Sequence, residues 1–243
     1  MKLLLLSNST NAGESYLGWT KSYIVDFMQR NAISEVLFVP YAGVNLSTES
    51  LTKSYDMYEE KVGGVFKELG FDLTSIHHFS DPNEAVRNAK CIAVGGGNTF
   101  HLVAEMHRTG IMHRIREKVL EGTPFMGWSA GANVACPTLR TTNDMPIIQP
   151  ASFDCLNLIP FQINPHYLDA NPAGHGGETR QQRIEEFLSI NRDIVVAGLR
   201  ESSLIEVDGN KAILKGHRDL RLFVYGNEPQ EITQGSDLSF LFI

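Results

Sequence analysis

The chain has 243 residues, 42% of them hydrophobic and 20% charged, which suits one soluble α/β domain with a full core. No stretch approaches the roughly 20 apolar residues of a membrane span, and the leucine run at residues 3–6 is too short for a signal-peptide core. A net charge of −7 without a Lys/Arg cluster argues against nucleic acid and anionic membrane as partners, and three cysteines without metal-ligand spacing (Cys91, Cys136, Cys155) fit a cytoplasmic protein.

Apolar runs bounded by turn residues recur along the chain, at residues 2–6, 36–39, 73–76, 91–94, 124–128, 161–164 and 194–199, and read as buried parallel strands. Between them, residues 17–30, 48–69, 99–106, 111–120 and 179–190 carry apolar side chains three and four apart, as amphipathic helices do. This alternation predicts a doubly wound, mostly parallel sheet with helices on both faces. From Ser203 onward the pattern shortens to Leu204-Ile205-Glu206-Val207, then Asp208-Gly209-Asn210, then Ala212-Ile213-Leu214. That is a hairpin, and the last forty residues are read as a small antiparallel extension of the same domain, residues 1–243.

Ligands bind open parallel sheets outside the carboxyl ends of the strands, so the residues that follow each strand are the ones to inspect. After residues 124–127 comes Gly127-Trp128-Ser129-Ala130-Gly131. Glycines two before and two after a serine relieve the crowding of a sharp strand-to-helix turn, which presents Ser129 as a nucleophile. A serine hydroxyl needs a base oriented by a carboxylate. His166, directly after a strand and next to Pro165, is the base of choice among eight histidines: His101, His107 and His113 fall in predicted helices, His77 and His78 end an upstream strand, and His175 and His217 lie in loops. Two acids stay open, Glu201 at another strand exit and Asp144 in the loop of residues 141–146, because chain order does not reveal triad geometry.

Residues 95–99, Gly95-Gly96-Gly97-Asn98-Thr99, lack the Gly-Lys-Ser/Thr of a nucleotide loop and the third glycine of a dinucleotide fingerprint. At a strand exit they offer instead a backbone that a ligand can approach: the N–H of Gly97 would join that of Ala130 in an oxyanion hole, with Asn98 beside them as a substrate-binding residue. No cofactor and no metal is expected. An acidic protein that takes an anionic substrate needs a local cation, and Arg180 and Arg183, at the opening of the predicted helix 179–190, carry the planar fork suited to a carboxylate.

Together these segments resemble the peptidase E family of α-aspartyl dipeptidases, related in fold to class I glutamine amidotransferases. The likeness rests on residues 3–10, Val94-Gly-Gly-Gly-Asn-Thr-Phe100, residues 127–133, Arg140-Thr-Thr-Asn-Asp-Met-Pro146, residues 162–166 and Gly177-Glu-Thr-Arg180. The amidotransferase-like fold normally carries cysteine where this chain has Ser129. The resemblance implies metal-free cleavage of small Asp-Xaa peptides, with Ser129 as nucleophile, His166 as base, Glu201 or Asp144 as acid and Arg180 on the substrate's β-carboxylate. Glu201 ranks slightly ahead of Asp144. An isoaspartyl or polyaspartyl peptide hydrolase of the same fold, or a non-catalytic small-ligand binding module, are the alternative readings. The oligomeric state is open, a homodimer being compatible with the chain.

Overall fold

A computed structural model describes residues 1–171, 174 and 176–242; His175 lies outside the described residues. Five parallel strands form the body of the main sheet: β1 (Lys2–Leu6), β2 (Glu35–Val39), β3 (Asp72–Ser75), β4 (Ile92–Val94) and β5 (Phe125–Trp128), in the order β3-β2-β4-β5-β1. The leucines of β1 are buried on both faces of the sheet, which is why that run does not alternate with polar residues. Each fully buried leucine contributes roughly 2 kcal/mol. One face, with Leu4, Leu6, Phe38, Met126 and Trp128, is covered by α1 (Lys21–Arg30) and α2 (Leu51–Glu68). The other, with Leu3, Leu5, Val39, Val94 and Phe125, packs on α3 (Pro82–Asn88), α4 (Thr99–Arg108), α5 (Ile111–Leu120) and the short α6 (Ala130–Asn133).

Local chemistry sets the ends of these elements. Ser50 caps α2 by accepting from the Lys53 N–H, and Asp81 caps α3 with Pro82 in its first turn. The α3 helix was not among the expected elements; at seven residues it spans less than the window over which a helical period is readable.

The carboxyl half departs from the expected single sheet. The predicted hairpin exists as β8 (Ser203–Asp208) and β9 (Lys211–Gly216), but it extends the main sheet itself, β8 pairing antiparallel with β1. The runs expected as further strands of that sheet, β6 (Gln162–Tyr167) and β7 (Val195–Arg200), pair parallel with each other in a second sheet, which β10 (Leu220–Val224) and β11 (Gln230–Ile232) complete antiparallel in the order β11-β10-β7-β6. Behind it, α7 (Arg180–Ile190) buries Ile184 and Leu188 against Tyr167, Val196 and Phe223. The exits of β1, β4 and β5 therefore meet the exits of β6 and β7 from a different sheet.

Candidate active site

Ser129 stands between β5 and α6 with φ 54 and ψ −112, a conformation that side-chain-bearing residues avoid and that marks a strained turn. The turn is possible because Gly127 and Gly131, two residues before and two after the serine, lack side chains. A Cβ on Gly131 would lie 2.0 Å from the Val94 carbonyl oxygen, so the helix start could not nest against β4. Behind the serine, Trp128 stacks on Phe38 with ring centroids 5.9 Å apart, and its indole Nε1 donates to the Tyr16 and Tyr58 hydroxyls at 3.0 and 3.1 Å. Burial pushes the Tyr58 phenol up to about 12 and raises that of Tyr16 well above its ordinary value, so both remain neutral.

His166 reaches the serine from β6. Its φ is 53, and the β6–β7 register shifts between Pro165 and Tyr167, so the histidine sits on a bulge that turns its ring out of the ladder. His166 Nε2 lies 2.8 Å from Ser129 Oγ, and Nδ1 lies 2.8 Å from Glu201 Oε1. A carboxylate only accepts, so Nδ1 carries the proton toward Glu201 and Nε2 is left to accept from the serine hydroxyl. All three side chains are half-buried. Other histidines bond elsewhere: His77 and His78 to Asp56 and Glu59, His101 and His107 to the carbonyls of Tyr41 and Asp154.

Of the two carboxylates left open by the sequence, Glu201 is the one bonded to His166. Asp144 is committed to the loop that carries it. Its Oδ2 accepts from the Thr99 N–H at 2.7 Å, the Thr99 hydroxyl at 2.6 Å and the Thr142 hydroxyl at 3.1 Å, fastening residues 141–146 to the start of α4. Asn98 is also used by the protein: its Oδ1 caps α4 through the His101 N–H, and its Nδ2 donates to the Met145 carbonyl at 2.9 Å. Gly97 adopts φ 135, and a Cβ there would fall 2.1 Å from the Ala42 oxygen, so no other residue fits. Among the described residues neither the Gly97 N–H nor that of Ala130, the first residue of α6, donates to an acceptor beyond its own helix.

The sequence itself is similar to proteins of known class. Residues 3–215 match the model of peptidase family S51. The chain is 47% identical over 240 residues to peptidase E of Nostoc sp., covering 99% of this chain and 96% of that one, and 46% identical over 242 residues to peptidase E of Streptomyces coelicolor, covering 99% and 95%. This chain belongs to peptidase family S51. It is a serine peptidase, a peptide hydrolase, by that membership. In fold it is similar to a solved peptidase from an acI-B1 actinobacterium, with a TM-score of 0.68 over 98% of this chain and 96% of that one at 16% identity.

In this S51 peptidase Ser129 and His166 open into a cavity of about 570 Å³, walled by residues 42–46, Tyr16, Tyr58, Lys61, Gly96, Gly97, Asn98 and Asp144. A smaller cavity of about 160 Å³ adjoins it, lined by Arg140, Asn143, Asn164, Arg180 and Arg183, and Asp144 belongs to both. Arg180 is the first residue of α7, whose start is fixed by a capping box between Thr179 and Gln182. Burial lowers its pKa, with Arg183 adding to the effect and Asp144 opposing it, and among the described residues it pairs with no carboxylate. Competing nucleophiles are weak: burial pushes the Cys91 and Cys136 thiols up to about 12.

Ser7 and Asn8, which follow β1, were not singled out in the sequence, although the strand-exit rule that found Ser129 applies equally to them. Ser7 is fully buried; its hydroxyl accepts from the His166 N–H at 2.9 Å and donates to the Leu199 carbonyl at 2.7 Å. The Asn8 Oδ1 accepts from the Ser202 N–H at 2.9 Å, on the residue next to Glu201. One strand exit of the main sheet thus holds both elements brought by the second sheet. Ser7→Ala removes the partner of the part-buried His166 N–H and one donor to the Leu199 carbonyl, at about 1–3 kcal/mol for the site. Denaturant unfolding should register that loss together with a fall in kcat at nearly constant KM; a variant with wild-type kcat would show that His166 is held without Ser7.

Proposed function

We propose that this enzyme hydrolyses dipeptides with an N-terminal aspartate, Asp-Xaa, through an ester between Ser129 and the aspartyl residue. The observation that carries the reading is the unbroken line of 2.8 Å hydrogen bonds from Ser129 through His166 to Glu201, with Ser129 and His166 lining one cavity. Ser129 Oγ attacks the aspartyl carbonyl carbon as its proton passes to His166 Nε2, and Glu201 balances the imidazolium that forms. The N–H groups of Gly97 and Ala130 donate to the developing oxyanion; being fixed in the backbone, they need no reorganisation. His166 then gives its proton to the leaving amine nitrogen as the C–N bond breaks. Water attacks the ester, its proton goes to Nε2 and returns to Ser129 Oγ, and aspartate is released.

Selection of aspartate falls to Arg180, a partly desolvated guanidinium whose fork suits the substrate β-carboxylate. The reading is supported by the peptidase E names of relatives 43–47% identical to this chain. Arg180→Ala should lower kcat/KM for Asp-Leu by about 30-fold or more, the lower end of the loss when a charged partner is removed, and should erase the preference for Asp-Leu over Asn-Leu. An unchanged kcat/KM for Asp-Leu would move selectivity to another residue. A panel of Asp-Leu, isoAsp-Leu and a short poly-aspartate separates this activity from β-linked or longer substrates. The working unit is taken as one domain in the cytoplasm, a location supported by three free, buried cysteines. A homodimer is carried as the assembly to test by sedimentation.

A further inference from the structure

We propose that Lys61 binds the C-terminal carboxylate of the substrate and thereby restricts the enzyme to dipeptides; this deepens the Asp-Xaa reading and rests on it. An Asp-Xaa dipeptide carries two carboxylates, and Arg180 accounts for one. Among the described residues Lys61 is the single Lys or Arg that lines the cavity of Ser129 and His166. It is exposed at the wall of that cavity, on α2 one turn beyond Tyr58, and among the described residues it forms no salt bridge, in a chain with seven more acidic than basic residues.

Its position is tied to the nucleophile. The Lys61 ammonium stands 4.2 Å from the centroid of the Tyr16 ring, a cation–π distance. The hydroxyl of that ring accepts from Trp128, the residue before Ser129, and lies 3.1 Å from the hydroxyl of Tyr58, which donates to the Gly96 carbonyl at 2.9 Å. A flexible lysine is in this way held over a rigid aromatic platform built on the elbow itself. In a dipeptide the terminal carboxylate lies one residue past the scissile carbonyl, about 3.8 Å between Cα atoms. In a longer peptide the same position holds a neutral amide that offers the ammonium no charge and continues toward the wall formed by α2.

The test compares Asp-Leu with Asp-Leu amide, which differ only in that terminal charge. The wild-type enzyme should favour the free acid by about tenfold in kcat/KM, the scale of a hydrogen bond to a charged group, mostly through KM and less so as salt is raised. In Lys61→Met the ratio should collapse toward one, and Lys61→Arg should restore it. A wild-type ratio near one, or a ratio that Lys61→Met leaves intact, overturns the proposal while the Asp-Xaa activity stands. If the wild-type enzyme cleaves neither compound, the Asp-Xaa reading fails and the subsite falls with it. Thermal melts of both variants show whether the exposed substitution has disturbed the fold.

Discussion

Ser129→Ala is expected to lower kcat for an aspartyl chromogenic amide by about 10⁴-fold or more, as removal of a triad nucleophile does, while the protein unfolds almost as the wild type does. The two halves of this expectation have separate physical sources. The loss in rate follows from the hydroxyl, which lies 2.8 Å from His166 Nε2. Stability is spared because alanine keeps the Cβ that the position already tolerates at φ 54, and because the missing hydrogen bond is half-exposed and replaceable by water. The residual rate would come from the amides of the oxyanion site and from substrate binding. Wild-type turnover by this variant would remove Ser129 from the mechanism. Burst kinetics of the wild-type enzyme complement the test, since an accumulating acyl-enzyme releases one equivalent of amine before the steady state.

What could be read before the structure was local in origin. The turn around Ser129 is written in five consecutive residues, because glycine at 127 and 131 is a steric demand of the turn itself. The strands of the main sheet were equally legible: runs such as Leu3 to Leu6 are buried on both sides and leave no other reading. The division of the strands between two sheets was not. Buried parallel strands have the same composition whichever neighbour they pair with, so β6 and β7 carried no sign that they form a separate sheet. The positive φ of His166 was hidden for a different reason. It arises from a register shift against β7, a feature of the pairing that residue 166 alone does not encode. Lys61 shows the same limit from the other side. On its helix it lies at a polar position like other exposed lysines, and only the approach of Tyr16, 45 positions earlier in the chain, gives it a defined place at the cavity.

The two acids are separated by what each removes. Glu201→Ala takes away the acceptor that fixes the His166 tautomer and steadies the imidazolium; kcat should fall by about 10²- to 10⁴-fold, below the loss at a fully buried triad acid because Glu201 is 46% exposed and water can replace it in part. KM and the unfolding midpoint should change little, since no other hydrogen bond to the Glu201 side chain is seen among the described residues. Asp144→Ala acts in the opposite sense. It strips an anion from the first turn of α4 and leaves the Thr99 N–H and hydroxyl without their acceptor, which should cost about 1–3 kcal/mol of stability. The loop of residues 141–146 would then loosen at the border of the Ser129 and Arg180 cavities, so KM should rise more than kcat falls. Measuring kcat, KM and the unfolding free energy of both variants decides the matter. A large fall in kcat at constant KM for Asp144→Ala, with a mild effect for Glu201→Ala, would mean that Asp144 and not Glu201 orients the base during turnover, and that residues 141–146 shift when substrate enters.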